Sequence, residues 1–397
     1  MADHTNGVNG HSSHDSKNVQ DILQTLNNID VDLFTNDGDR IQAVVAAYAL
    51  VSRLETPWEF VLRTCMGQPA LGAALKVGKD LELYEKWQER GNVEMNFQQL
   101  SKMLPDCEPA LLYRILRHLA SNHVLQETSI GVFKPTALSM SFTNPVFGEW
   151  INHLYDATLP IFYKMPIYLA QNGYRNPVDP TNGGDMFHYY QAHPVEGASF
   201  DHVMGGVMAN QARWVDIFPS KTLIDTAKGG DSPLVVDVGG NIGHDIDKFR
   251  ETHPETAARL YLEDLPQVVA RSKCPDTVNK LGYDFFTPQP IKGARAYYMH
   301  GVLHDWSDEP ARKIPEMQRD ALTPGYSTLL IHDHIAAEQL AHPHATAYDL
   351  TMMVMVAGGE RTEADWRKLL SSTRYKVVKI WNSPLAIQGI IEAELDV

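Results

Sequence analysis

Apolar residues recur with two different periods along the chain, and the change of period divides the chain into two parts. Between about Asp37 and Met204, apolar residues return every three or four positions, as they do from Ile41 to Val51. This spacing is typical of helices with one buried face. From Pro233 onward, short apolar runs alternate with helical segments instead. The pattern therefore predicts a helical N-terminal part followed by an α/β part.

The α/β part contains six predicted strands. They are Leu234 to Val238, Arg259 to Leu262, Ala296 to Met299, Ser327 to His332, Tyr375 to Trp381 and Ala386 to Ala393. Helical segments such as Asp245 to Glu251 and Ala311 to Ala321 separate them. Strands that alternate with helices form a doubly wound, Rossmann-like sheet, in which ligands bind at the carboxyl ends of the strands. We therefore expect the functional residues to follow directly after strands.

The helical part begins with three consecutive amphipathic helices and continues with a different pattern. The three helices are expected at Ile41 to Leu54, Trp58 to Met66 and Ala70 to Trp87. A helix, a second helix and a small hairpin follow between Asn96 and Pro135, the order of a winged helix-turn-helix. The candidate recognition helix, Ala110 to Leu119, carries only two arginines, so DNA binding is not favoured.

Composition restricts the classes of function. The chain has 397 residues, of which 44% are hydrophobic, enough for two domains. Its net charge of −15 argues against nucleic acid or an anionic membrane as the main partner. The three widely spaced cysteines suggest neither a disulfide framework nor a zinc site, and no metal is expected. Neither a signal peptide nor an apolar run of membrane-spanning length is found, which favours the cytoplasm.

The expected organisation has three parts. Residues 1–18 are polar and rich in His, Ser, Asn, Gly and Asp, a composition that favours a disordered tail. Residues 19–225 form the helical and winged-helix part. Residues 226–397 form the α/β part.

A glycine-rich turn follows the first strand of the α/β part. The sequence Val235 to His244 contains Gly239, Gly240 and Gly243 in a G-G-x-x-G spacing before a helix. Such a turn lets backbone N–H groups approach a nucleotide. The next strand ends in carboxylates at Glu263 and Asp264, about 20 residues on, where a ribose diol needs an acceptor. A tight turn without a ligand would show the same glycines.

Histidine and carboxylates follow later strands. His304 lies just after the third predicted strand, Asp333 follows the fourth, and Glu360 follows an apolar helix. Imidazole titrates near neutral pH, and a carboxylate can hold its tautomer, which suits proton abstraction from a hydroxyl group. Taken singly, His304 could instead be a capping or core residue, Asp333 a turn residue and Glu360 a neighbour of a helix cap.

Five motifs together resemble a known family. In order, they are Gly239-Gly240-x-x-Gly243-His244, Asp264-Leu265-Pro266, Asp284-Phe285-Phe286, His304-Asp305-Trp306 and Gly359-Glu360-Arg361-Thr362. This series resembles the S-adenosylmethionine-dependent O-methyltransferases that act on plant and fungal small molecules. The segment Leu54-Glu55-Thr56-Pro57-Trp58 is similar to the dimerisation domain of fungal members. The resemblance implies that residues 19–225 serve as a dimerisation and substrate-lid domain and residues 226–397 as the catalytic domain. The resemblance covers nearly all of the chain after the tail.

The resemblance implies a role for each matching residue. His304 would be the general base, and Asp333 and Glu360 would position it. The residues that would border S-adenosylmethionine are Asp237, Gly239, Gly240, Gly243, Asp264, Asp284, Phe285 and His300. The residues that would line the substrate pocket are Phe200, Met204, Met352 and Met353. The implied reaction is methylation of a phenol or enol hydroxyl group on a fungal-type secondary metabolite.

Three departures from the family pattern leave an alternative open. His300 stands where the family usually carries Lys or Arg, Asn241 replaces a glycine, and His332 and His334 flank Asp333. Some fungal members of this fold bind the cofactor without transferring its methyl group and act as pericyclases or dehydratases. The intact His304 and Glu360 favour methyl transfer. The sequence leaves the exact substrate and its regiochemistry open.

The apolar faces of the N-terminal helices predict an assembly. The segment from Arg40 to about Leu83 carries more apolar surface than one small winged module can cover. Such stripes are normally buried against another chain, and a two-fold arrangement lets the same helices cover each other. We therefore expect an obligate homodimer that acts on a small molecule. Folding back of these helices onto their own catalytic domain is the alternative.

Overall fold

The computed structural model describes residues 13–177, 186–210, 212–339, 341–382 and 388–397. The chain divides into two compact units between Thr56 and Pro57. The first unit contains helices α1 (Ser13–Asn27) and α2 (Asp37–Leu54). Helix α1 begins inside the predicted tail, and its apolar residues from Val19 to Leu26 follow helical spacing. Residues 1–12 of that tail lie outside the described residues.

The second unit begins with helices. They are α3 (Pro57–Leu62), α4 (Gln68–Asp80), α5 (Leu83–Gln88), α6 (Phe97–Met103), α7 (Pro109–Ser121), α8 (Ala137–Ser141), α9 (Pro145–His153), α10 (Leu159–Gln171), α11 (Met186–Ala192), α12 (Pro194–Asn210), α13 (Trp214–Ile217) and α14 (Lys221–Asp225). A small antiparallel sheet in the order β1-β3-β2 lies among them, formed by β1 (Met95–Asn96), β2 (Leu125–Ser129) and β3 (Val132–Pro135).

One predicted helix of this region is wrong in its extent. The segment from Ala70 to Trp87 forms two helices, α4 and α5, rather than one. The break lies at Glu82, whose φ of 54° places it in the left-handed region. A single left-handed residue ends the regular helical backbone, and the chain then starts a new helix in another direction.

A seven-stranded sheet forms the C-terminal part of the second unit. Its strands are β4 (Val235–Val238), β5 (Leu260–Asp264), β6 (Asn279–Gly282), β7 (Ala296–His300), β8 (Thr328–His334), β9 (Tyr375–Asn382) and β10 (Gln388–Leu395). Their order is β6-β5-β4-β7-β8-β10-β9, with parallel pairs from β6 to β8 and antiparallel pairs on both sides of β10. The chain order reverses between β4 and β7, where the doubly wound fold binds ligands.

Helices cover both faces of this sheet. They are α15 (His244–Thr252), α16 (Pro266–Val269), α17 (Asp308–Arg319), α18 (Pro343–Val356) and α19 (Glu363–Ser372). One face packs on Trp366 of α19 and the other on Trp214 of α13. All residues of β4, β7 and β8 are buried, which explains their continuous apolar character. The polar side chains that end these strands lie at the carboxyl edge.

A third apolar cluster joins the helices before the sheet to α18. It contains Ala157 and Ile161 from the segment around α10, Met186 and Tyr190 from α11, and Val354 from α18. Since α18 ends just before Gly358, this cluster lies next to the segment that carries Glu360. No helix in the described ranges combines the length and apolar character that a bilayer-spanning segment needs.

Candidate active site

The glycine turn after β4 leaves no room for side chains. Gly239 and Gly243 adopt φ values of 72° and 98°, which side-chain-bearing residues rarely adopt. A Cβ on Gly240 would lie 2.5 Å from Cγ of Asp237, and one on Gly243 would lie 2.2 Å from Sγ of Cys274. Asn241 also has a positive φ, 52°, a conformation that Asn tolerates better than most residues. Asn241 therefore fits the turn despite replacing a glycine.

A carboxylate of β5 holds this turn, and a carboxylate of β4 is buried beside it. Asp264 Oδ2 accepts a hydrogen bond from the backbone N–H of Asn241 at 2.8 Å, and its Oδ1 accepts one from Leu265 at 2.7 Å. Each oxygen keeps a lone pair that can accept from a hydroxyl group. Asp237 is buried beside the turn, where burial and the charge of Asp245 raise the pKa of its carboxyl group well above the usual range. The edge thus offers acceptors suited to a ribose diol.

The segment after β6 adds an aromatic wall to the same edge. Asp284 Oδ1 accepts a hydrogen bond from the backbone N–H of Phe286 at 2.9 Å, which fixes the turn that carries Phe285. The Phe285 ring lies 3.5 Å from the position of a Cβ on Gly239. A flat ring against a glycine backbone is the kind of surface that a purine packs on. The glycine turn, Asp264, Asp284 and Phe285 are therefore adjacent, and these residues fit an adenosine-containing cofactor.

His300, at the end of β7, has both ring nitrogens engaged by protein groups. Its Nδ1 lies 2.6 Å from Asp245 Oδ2, and its Nε2 lies 3.0 Å from Gln388 Oε1. Its ring stacks on His332 with centroids 4.0 Å apart. Burial opposes a charge on His300, but the charge of Asp245 outweighs it and raises the pKa of the imidazole. The imidazole of His300 is thus paired with a carboxylate and an amide oxygen, and neither ring nitrogen remains for a cofactor.

The second part of the site centres on His304. This residue lies in a short helical turn, Leu303–Asp305, directly after β7. Its Nδ1 lies 3.1 Å from Glu360 Oε1 and 3.7 Å from Asp333 Oδ1. Asp333 is fully buried in β8, and the Glu360 side chain is only 1% exposed. The structure therefore brings together the three residues of the predicted catalytic group.

The buried charges control the proton affinity of this group. Burial opposes a charged imidazole at His304. The charges of Asp333 and Asp305, together with the hydrogen bond to Glu360, outweigh burial and raise the pKa of His304 to about 10. Burial also opposes the charge of Glu360, yet hydrogen bonding to His304 lowers the pKa of that carboxyl group to about 2. Burial raises the pKa of Asp333 and brings that of Asp305 to about 6. An ionised Glu360 thus faces a strongly basic imidazole.

Two further residues contact Glu360. The Nδ1 atom of His334 lies 2.8 Å from the same Oε1 that faces His304. Asp349 of α18 accepts a hydrogen bond from the backbone N–H of Glu360 at 2.8 Å. One donor atom each from His304, His334 and Glu360 lies within 4.8 Å of the others, a spacing that could hold a metal ion.

The cofactor part and the histidine part are adjacent. Val302, two residues before His304, lies 3.0 Å from the position of a Cβ on Gly239. His304 Nε2 in turn lies 3.4 Å from the position of a Cβ on Gly301. A ligand bound at the glycine turn would therefore lie close to the imidazole of His304.

The predicted substrate residues lie on two helices near this edge. Phe200 of α12 stacks on Tyr190 with ring centroids 4.7 Å apart, and it packs in the same apolar cluster as Met353 of α18. Met204 and Met352 are half-buried on these two helices. The buried His153 lies 5.7 Å from Phe200, measured between ring centroids. Burial lowers the pKa of His153 to about 4, so this wall is aromatic and uncharged at neutral pH.

Sequence reasoning did not assign the residues that support the predicted group. Asp245 and Gln388 bind the imidazole of His300, and Asp349 binds the backbone N–H of Glu360. Arg361 binds carbonyl groups in the turn that carries His304. Arg361 stood in a quoted motif, and Asp245 opened a predicted helix. Asp349 and Gln388 carry no local signal, because their contacts form only when distant segments meet.

Comparison with known proteins identifies the group to which the chain is similar. Residues 182–376 match the O-methyltransferase domain family. The chain is 74% identical to the O-methyltransferase mfmE of Annulohypoxylon moriforme over 100% of both chains. It is 32% identical to the O-methyltransferase mpaG of Penicillium roqueforti over 96% of this chain and 99% of the relative.

Solved structures share the fold. The structure of LepI in complex with SAM matches with a TM-score of 0.83 at 23% identity, covering 96% of this chain and 99% of LepI. OxaC in complex with SAH and oxaline matches with a TM-score of 0.80 at 23% identity, covering 96% of this chain and 98% of OxaC.

Proposed function

Because this chain belongs to the O-methyltransferase family, we propose that it methylates a phenol or enol hydroxyl group of a secondary metabolite, with His304 as the general base. S-adenosylmethionine, when bound, supplies an electrophilic methyl group. The 3.1 Å approach of His304 Nδ1 to a buried, ionised Glu360 carries the proposal. A carboxylate can only accept there, so Nδ1 keeps its proton and Nε2 is the nitrogen that can take one from the substrate.

The residues that would hold the cofactor are those of the carboxyl edge. The set is Asp237, Gly239, Gly240, Gly243, Asp264, Asp284, Phe285 and His300. Asp264 would accept hydrogen bonds from ribose hydroxyl groups, Phe285 would pack on the adenine, and the glycine turn would admit the methionine part. Asp333 and Glu360 would hold the imidazole of His304 in place.

The basicity of His304 favours one class of acceptor. A phenol has a pKa of about 10, as tyrosine does, whereas an aliphatic alcohol is a much weaker acid. The pKa of His304 is also about 10 in the ligand-free protein. Proton transfer from a phenol to the deprotonated imidazole is thus nearly balanced in free energy, and the fraction of protein with a deprotonated imidazole grows as the pH rises toward 10. The aromatic wall around Phe200 suits a flat, apolar substrate.

The test measures the mass of the product. The protein is incubated with methyl-labelled S-adenosylmethionine and a panel of phenolic polyketides and pyridones, and each product is analysed by mass spectrometry. We expect a gain of one labelled methyl group and a fall in turnover of roughly 10²–10⁴-fold in His304→Ala. An isomer, or a loss of water without label, would instead identify a pericyclase or dehydratase. Full methyl transfer by His304→Ala would show that the base is another group.

We also propose that the enzyme is a homodimer whose partner covers the exposed apolar residues near the N-terminus. In α2, Tyr48 is 57% exposed and Leu54 is 71% exposed. In the second unit, Trp58 and Met66 are 68% and 64% exposed. Light scattering at micromolar concentration should give twice the 44.5 kDa of one chain. A mass of one chain, or full activity without residues 1–90, would contradict this assembly.

A further inference from the structure

Arg361 contacts the backbone on both sides of the proposed base. Its Nη1 donates to the carbonyl oxygen of Leu303 at 2.9 Å, and its Nη2 donates to that of Trp306 at 2.8 Å. These two carbonyl groups flank His304 and Asp305 in the turn after β7. Arg361 itself is 7% exposed. The guanidinium therefore binds the turn from inside the protein, with two donors whose relative geometry is rigid.

The same residue is attached to the segment that carries Glu360. Arg361 follows Glu360 directly in the chain, and its own carbonyl oxygen accepts a hydrogen bond from the backbone N–H of Ala336 at 2.9 Å. Its guanidinium lies 5.4 Å from the ring centroid of Trp366. Trp366 Nε1 in turn donates to the carbonyl oxygen of His334 at 3.0 Å. Arg361 thus joins the segments that follow β7, β8 and α18.

Two glycines bring the turn that carries His304 into close contact with the segment that carries Glu360. The backbone N–H of Gly359 donates to the carbonyl oxygen of His304 at 2.9 Å. A Cβ on Gly358 would lie 2.0 Å from that same oxygen. A few short backbone contacts therefore set the separation between the imidazole of His304 and Glu360. Arg361 makes two of them, to the carbonyl groups of Leu303 and Trp306.

We propose that Arg361 is a positioning residue that holds the His304 turn against the Glu360 segment and so maintains the hydrogen bond between the two side chains. The inference rests on the proposed function, because it assigns Arg361 to the proton-removal step. Misplacement of catalytic groups by about 1 Å can cost about 10²-fold in rate. The carboxylate of Asp308 lies 3.0 Å from Nη2 and pairs with the guanidinium from a largely exposed position.

The variant Arg361→Lys tests this role, with Asp308→Asn as the matched control. Lysine keeps the positive charge but lacks the fork that binds two carbonyl groups. In the full-length protein we expect kcat to fall roughly 10- to 100-fold, with KM for S-adenosylmethionine changed less than about twofold. Asp308→Asn removes the ion pair and keeps both carbonyl contacts, so its kcat should stay within about twofold of the wild type.

A second readout needs no turnover. The imidazole of His304 is followed by NMR through selectively labelled histidine, and its signal is assigned by its absence in His304→Gln. In Arg361→Lys the pKa of His304 should move from its raised position toward the ordinary value, since the Glu360 carboxylate is no longer held beside it. Failure of methyl transfer in the wild type would refute the proposed function, while this titration would still test Arg361.

A substitution on the opposite side of the turn covers the case in which Arg361→Lys does not fold. Gly358→Ala pushes the His304 carbonyl away while Arg361 is intact, and it should lower kcat and the pKa of His304 together. An unchanged pKa of His304 and an unchanged kcat in either folded variant would overturn the inference. So would an equal fall in kcat in Asp308→Asn.

Discussion

Replacement of Glu360 with glutamine removes one carboxylate charge from His304 and keeps the shape of the side chain. The amide oxygen of glutamine can still accept from Nδ1, and the backbone N–H at this position can still donate to Asp349. Two other carboxylates remain near the imidazole, since Asp305 Oδ1 lies 3.5 Å from Nε2 and Asp333 Oδ1 lies 3.7 Å from Nδ1. The substitution therefore tests the charge of Glu360 alone.

The size of the effect follows from the distance and the burial. A unit charge 3.1 Å from another contributes at most about 5 kcal/mol at an effective dielectric constant of about 20. An opposite charge within 4–6 Å typically shifts a pKa by about 1–3 units. The pKa of His304 is about 10 in the wild type. We therefore expect roughly 7–9 in Glu360→Gln.

Kinetics and NMR titration measure this shift independently. Below its pKa the imidazole carries a proton and cannot act as a base, so kcat/KM should rise with pH toward about 10 in the wild type. In Glu360→Gln the rise should end at lower pH, at a plateau that is reduced because the imidazole is a weaker base. The labelled His304 signal in the ligand-free protein should titrate over the same lower range.

The same pKa has a consequence for folding. Because the folded-state pKa of His304 is raised above about 6.5, the native protein holds a proton that the unfolded chain releases between pH 6.5 and 10. This contribution to stability is complete below about pH 6.5 and is lost as the pH rises toward 10. Glu360→Gln should make the loss of stability in this range smaller.

Glu363→Gln provides the control for the chemical change. Its side chain is 52% exposed on α19 and pairs with Arg367. Neither the pH profile nor the His304 signal should change in this variant. A wild-type His304 that titrates near 6.5, or a Glu360→Gln variant with an unchanged pKa, would refute the electrostatic reasoning.

Three further predictions concern the cofactor turn, its support and the metal question. Gly243→Ala should abolish binding of S-adenosylhomocysteine in calorimetry, because its Cβ would lie 2.2 Å from the buried sulfur atom of Cys274. Gly230 also has a positive φ, 72°, but no atom lies within 4 Å of its Cβ position, so Gly230→Ala should bind normally. Asp245→Asn should lower the free energy of unfolding in urea by roughly 3–5 kcal/mol, because it leaves His300 without its buried partner. The control Asp247→Asn on the same helix should lower the free energy of unfolding by under about 1 kcal/mol. Dialysis against EDTA should leave the methyl-transfer rate unchanged, and a loss restored by a divalent metal would contradict the assignment of the histidine site to proton transfer.

Sequence patterns predict six of the seven strands of the sheet, including the edge strand β9. The strands β4, β7 and β8 were predicted because they are buried on both faces and so contain apolar runs. Strand β6 was missed. Its residues Asn279 to Gly282 include a single large apolar side chain, Leu281, and the strand is the partly exposed edge of the sheet. Pairing with β5, rather than its own composition, makes it a strand.

The residues of the site also differ in whether the sequence predicts them. His304, Asp333 and Glu360 could be predicted because each follows a recognisable strand or helix, and the carboxyl ends of parallel strands meet. The supporting contacts could not, since most of them use backbone atoms. Asp349 binds the backbone N–H of Glu360, and Arg361 binds two backbone carbonyl groups. Every residue carries a backbone carbonyl group and almost every residue a backbone N–H, so the residue types at these positions do not reveal the contacts.

Four histidines lie at the carboxyl edge of the sheet. The groups that contact their ring nitrogens distinguish the histidine suited to exchange a proton with a substrate. His300 has protein partners on both nitrogens, and burial drives the pKa of His332 well below the usual range while its Nδ1 lies 2.8 Å from a tyrosine hydroxyl. His334 is 6% exposed and faces Glu360. The His304 side chain is 14% exposed, and its Nε2 is 3.5 Å from the nearest carboxylate oxygen, beyond the usual hydrogen-bond length. A base needs strong proton affinity together with access to the substrate, and among these four residues His304 combines the two.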